Sequence, residues 1–148
     1  MPPHAAQAAH ESLMLDHVSP ALQLRGYVGK GTFRRHLPTG WHLLTFHGSH
    51  SAAKGSVLVT FDFAAITDAG WAERRVWFAD HTPAVKVPTR PSAVWADAQR
   101  IGMARMGIDQ WYEYPTTADL ATLCSRILRD VDRYATPYME KRVPSGGA

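Results

Sequence analysis

From Ala118 to Ala135 the apolar residues Leu120, Leu123, Cys124, Ile127, Leu128, Val131 and Tyr134 return at steps of three and four. Asp119, Arg126, Arg129, Asp130 and Arg133 take the positions between them. That period lays one apolar stripe along an α-helix. Thr116 or Thr117 is placed to cap it, Asp119 suits the positive end of its dipole, and Pro137 is expected to stop it. Cys124 lies on the stripe, so it reads as core filler rather than a nucleophile. Such a helix needs a flat apolar surface to cover.

The middle of the chain supplies one. "TFRRHL", "WHLLTFH" and "SVLVTFDF" are short runs rich in Phe, Val, Leu and Thr, separated by "PTG" and "GSHSAAKG", which predicts a three-stranded meander. In the third run Val57, Val59, Phe61 and Phe63 share one face, and Ser56, Leu58, Thr60 and Asp62 the other. In the second, His42, Leu44 and Phe46 alternate with Trp41, Leu43, Thr45 and His47. Pairing apolar with apolar puts Leu44 and Phe46 beside the Val57–Phe63 face, under the helices. The outer face then carries Trp41, Leu43, Thr45, His47, Leu58, Thr60 and Asp62.

A further helix is expected from about Ala6 to Arg25, kinked or restarted at Ser19-Pro20. Residues 68–79 favour a short helix capped by Asp68 over a strand. "KVPTRP" is extended, and "ADAQRIGMA" and "DQWYEY" supply one or two more strands. The sum is an α+β fold: an antiparallel sheet of about four or five strands, with N- and C-terminal helices on one face. One domain is expected over residues 1–148, ordered from about 6 to 141, with "MPPHAAQ" and "RVPSGGA" as loose ends.

Composition narrows the class. At 45% hydrophobic and 20% charged residues the chain is ordinary for a globular domain. A single cysteine rules out an internal disulfide. The N-terminus has no basic flank leading into an apolar block, and no run is long enough for a membrane helix, so a soluble cytoplasmic protein is expected, with no membrane partner. The net charge of +3 is small and its arginines are scattered. The one basic cluster, Arg25, Lys30, Arg34 and Arg35, reads as a solvated hairpin edge, which makes a nucleic-acid partner a poor fit.

Several motifs fail on geometry. His42, His47 and His50 crowd one stretch, but the odd separation of His42 and His47 points them to opposite faces of a strand. His47 and His50 would chelate only from a loop, and a third ligand from His36 or Asp62 needs a register that spacing alone does not give. No metal and no cofactor is expected. In "GYVGKGT" the lysine is followed by glycine and a strand, so it is a turn and not a phosphate loop. Asp109 and Glu113 read as surface carboxylates.

What survives is the outer sheet face. Trp41, Thr45, His47, Thr60 and Asp62, with Trp111 nearby, combine aromatic surface with a titratable pair. Aspartate is depleted in strands, which marks Asp62. A histidine bonded to that carboxylate is able to serve as a general base, so His47 and Asp62 are the candidate catalytic pair.

The stretches "GYVGKGTFRR", "WHLLTFHGS", "VLVTFDF", "RIGMARMGIDQWYEY" and "ATPYMEK" resemble a bacterial family of domains of unknown function, the one numbered 4304. The resemblance spans roughly Leu22 to Lys141. It is carried by Arg100-Ile101-Gly102, by Asp109 and Trp111, and by Pro137. The family tends to glutamine and lysine where this chain has His47 and Gly48, and to asparagine near Asp62. Those departures fall on the outer face. The resemblance implies a compact α+β domain and brings no activity or catalytic residue.

Two functions follow as expectations. The first is a non-catalytic protein-binding module that docks its partner through the outer face, like a bacterial immunity protein by analogy only. The alternative is a small enzyme or ligand carrier, for instance a hydrolase, isomerase or cyclase of secondary metabolism, with a pocket lined by His47, Asp62 and Trp41.

Overall fold

The computed structural model describes residues 3–51, 55–82, 84, 86–93 and 96–146. The chain is α+β, as the hydrophobic pattern predicts. Its element order is α1 (Pro3–Ser12), a π-helical turn (Leu13–Val18), α2 (Ser19–Leu24), β1 (Val28–Lys30), β2 (Thr32–Leu37), β3 (Gly40–Ser51), β4 (Ser56–Thr67) and α3 (Asp68–His81). Then come β5 (Gln99–Arg100), α4 (Ile101–Met106), β6 (Tyr112–Pro115), α5 (Leu120–Asp130), a second π-helical turn (Val131–Ala135) and α6 (Thr136–Arg142).

The sheet runs β1-β2-β3-β4-β5, every pair antiparallel, and β6 also joins β4. On its far side, therefore, β4 pairs with β6 at Ser56–Val59 and with β5 at Asp62–Phe63. The predicted pairing of apolar faces in the central strands holds, and the register sets Leu44 opposite Phe63 and Phe46 opposite Phe61. With Phe33, Val57, Val59, Tyr112 and Tyr114 they form the inner face, buried against Leu13, Val18, Leu22, Leu123, Ile127, Val131 and Met139 of the terminal helices. Fully burying one such side chain contributes about 1.5–3 kcal/mol, so this one layer dominates the driving force.

Several boundaries differ from expectation. Pro137 does not stop the last helix. In place of a stop, the Thr136 N–H reaches back five residues to the Val131 carbonyl, and the helix continues through Pro137 to Arg142. The N-terminal helix handles Pro20 in the same way, with the Ser19 N–H bonded to Met14 O. A proline lacks an N–H and its ring crowds the carbonyl four residues back, and one widened turn relieves both. The cap of α5 is Asp119, which accepts from the Ala121 and Thr122 N–H groups, not Thr116 or Thr117. Thr67, not Asp68, caps α3 through the Gly70 N–H.

"RIGMA" is helix α4, not strand; only Gln99 and Arg100 pair with β4. Gly102 permits this, because a Cβ there would stand 2.4 Å from the Gln110 carbonyl oxygen. The central strands outrun their hydrophobic cores, and "HGSH" is strand rather than loop. Gly48 faces α1 so closely that a Cβ would meet the His10 imidazole at 2.6 Å.

Helix α1 already begins at Pro3 and buries Ala6. At the other end Val143 is fully buried and the Ser145 N–H donates to Glu140.

Candidate functional site

The antiparallel register decides where each histidine goes. His42 points inward, fully buried. Its Nε2–H donates to the Val143 carbonyl at 2.6 Å, and its Nδ1 accepts from the Arg35 guanidinium at 2.8 Å. Burial holds its pKa below the ordinary value, consistent with a neutral ring whose two nitrogens are committed to the C-terminal segment and β2. His36 stands exposed on the outer face, stacked on Trp41 at 4.0 Å and donating to Asp68. His47 also points outward, opposite to His42. The side chain of His50 lies outside the described residues, and among the described residues no three His, Cys, Asp or Glu side chains are grouped to hold a metal.

The outer face has two parts. At the end near Gly40, Trp41, Leu43, Ala64 and Ile66 pack with Ala93 and Ala96 from the segment after α3. Helix α3 lies against the same strands. Trp41 is therefore half-buried in a small second core, away from the predicted polar pair.

The other part brings the predicted residues together. Thr45 stands opposite Asp62 and His47 opposite Thr60, so the four form a square on adjacent strands. Across its diagonal, His47 Nε2–H donates to Asp62 Oδ2 at 2.7 Å. On the far side of β4, Arg100 is the cross-strand neighbour of Asp62 and donates from Nε to Oδ1 at 2.6 Å. Both carboxylate oxygens are thus engaged, which explains how an aspartate is accommodated, buried, in mid-strand. The Thr45 and Thr60 hydroxyls are buried beside it without a protein partner among the described residues.

Arg100 does more than neutralise Asp62. Its Nη1 reaches both oxygens of Asp109 at 3.3 and 3.4 Å, and its guanidinium lies 5.5 Å from the centre of the Trp111 ring. The connection from α4 to β6 is tied to the sheet through this one side chain. Asp109 and Glu113 are both exposed, as expected of surface carboxylates; Asp109 joins that network, and among the described residues Glu113 accepts from Ser56 at 3.3 Å.

Where β6 leaves β4, a cleft of about 570 Å³ opens, lined by Ser49, Leu58, Arg105, Gln110, Trp111, Tyr112, Glu113 and Arg126. Ser49 and Leu58 follow His47 and precede Thr60 by two residues on the same face, so the cleft begins where the polar square ends. Its other wall rests on a buried carboxylate. Asp130 accepts from the Tyr112 hydroxyl at 2.5 Å and from Arg105 at 3.0 Å, while Arg105 lies 4.7 Å over the Tyr112 ring. Burial and this carboxylate push the Tyr112 hydroxyl far above the usual tyrosine range, so it stays a donor.

Of the candidate residues, Thr45, His47, Thr60 and Asp62 share one patch, Trp111 joins it through Arg100, and Trp41 belongs elsewhere. Arg105, Asp130 and Tyr112 had no place in the sequence reading. Asp130 was assigned to the solvent side of its helix, yet it is 4% exposed. Its steps of three from Ile127 and seven from Leu123 were the signal for the buried side.

Comparisons with protein-family models, with curated proteins and with solved structures gave no match. The resemblance to the family numbered 4304 rests on its short motifs alone.

Proposed function

We propose that this chain is a small-molecule binding domain, and that its ligand sits in the cleft between β4, β6 and α5. One observation carries the reading: Trp111, Tyr112 and Arg105, three walls of a cleft of about 570 Å³, are each held by a charged network anchored on a buried carboxylate. That volume falls in the usual range for ligand sites, roughly 300–1,000 Å³, and rigid aromatic walls with few polar groups suit one.

The protein-docking alternative is supported less. Of the two tryptophans that would anchor such docking, Trp41 and Trp111, the first packs into the second small core with Ala93 and Ala96. Nor does the arrangement favour proton chemistry at His47. Its ring does not line the cleft, and Asp62 divides its charge between His47 and Arg100. The pair acts as a positioning element for the Arg100–Trp111 wall.

Titration with indole, a neutral aromatic fragment, followed by amide and indole NMR resonances tests the reading. Saturable shifts confined to Leu58, Gln110, Trp111 and Tyr112 are expected, with a dissociation constant of about a millimolar, ordinary for a fragment. Shifts absent there, or spread evenly over the molecule, would contradict it.

A further inference from the structure

The cleft carries two opposite charges that do not meet. Arg126, exposed on α5, and Glu113, exposed on β6, both line it. Among the described residues they form no ion pair with each other, and Arg126 has no carboxylate partner at all. The other arginine of the wall, Arg105, is already committed to Asp130. Exposed charges of opposite sign gain little from pairing with each other in water, so both stay available to a ligand that spans them. The cleft that both line is also bounded by Leu58, Gln110, Trp111 and Tyr112.

Resting on the small-molecule reading of the cleft, we infer that its ligand is an aromatic zwitterion of the amino-acid class: a carboxylate for Arg126, an ammonium for Glu113, and a ring for Trp111. Each part answers a separate feature. The guanidinium offers a planar fork that matches a carboxylate. Among the described residues the Glu113 carboxylate is bonded only to Ser56, which leaves acceptor capacity for an ammonium. The Trp111 ring is fixed by Arg100 and gives the ligand's ring a rigid stacking partner.

The test uses four related probes: indole, indole-3-acetate, tryptamine and L-tryptophan, each titrated while the Trp111 indole N–H is followed. Tryptophan is expected to bind roughly tenfold more tightly than indole, with the two singly charged probes between them. In Arg126→Met the advantage of tryptophan and indole-3-acetate should fall about fivefold while tryptamine is unchanged. Glu113→Gln should do the reverse. Both residues are exposed, so both variants should keep the melting temperature of the parent chain.

If all four probes bind equally, or if neither variant discriminates between the charged probes, the zwitterion is wrong while the cleft remains a ligand site. Failure of indole itself to shift the cleft resonances overturns the underlying reading.

Discussion

Asp130→Ala is expected to cost about 3 kcal/mol of stability, because it takes from the buried Tyr112 hydroxyl and the half-buried Arg105 the acceptor they share. In the parent chain the carboxylate is nearly inaccessible and receives both the Tyr112 hydroxyl and Arg105. Without it, the Tyr112 hydroxyl stays buried with nothing to donate to. Arg105, whose side chain is only 19% exposed, must swing into water or remain an uncompensated charge. Tyr112→Phe removes one donor and leaves the ion pair intact, so about 1 kcal/mol is expected there. Urea unfolding of the two variants measures the difference. A loss below about 1 kcal/mol for Asp130→Ala would show that Arg105 and Tyr112 find other partners. If the wall is built as described, the same variant also loses indole binding, since both residues line the cleft.

The second large effect is at Asp62. Asp62→Ala should cost about 2 kcal/mol, less than Asp130 because Arg100 and His47 are each about a third exposed and can be rehydrated. Asp62→Asn keeps one acceptor oxygen, and about 1 kcal/mol is expected. The more telling readout is distant. Arg100, freed from Asp62, loses its fixed place between the sheet, Asp109 and Trp111. Indole affinity should therefore fall in Asp62→Ala, although Asp62 does not itself line the cleft. An alanine variant as stable as the parent, with unaltered affinity, would reduce the cluster to surface decoration.

The parts of the fold that follow strict periodicities were legible. Alternation in "WHLLTFH" and "SVLVTFDF" gave the strands, their inner faces and the pairing of Leu44 and Phe46 with the Val57–Phe63 face, because a slip of one residue would expose every phenylalanine. It also separated His42 from His47 and placed His47 near Asp62. Misreadings came where one local rule yields to another. Pro137 reads as a stop until a widened turn absorbs it. "RIGMA" reads as strand because its helix depends on Gly102 passing Gln110 at close range, a contact between residues eight apart. The pairings Arg100–Asp62, Arg105–Asp130 and Tyr112–Asp130 stayed hidden because the partners lie 38, 25 and 18 residues apart in sequence. Charged pairs of that kind leave no periodic trace.

Native mass spectrometry of the chain purified gently from its own host tests the central claim most directly. The expected result is a folded chain carrying a bound species of roughly a few hundred daltons, the mass a cleft of this size admits, and its loss in Asp130→Ala. A chain that carries a stoichiometric polypeptide in place of any small molecule, equally in the parent and in Asp130→Ala, would contradict it.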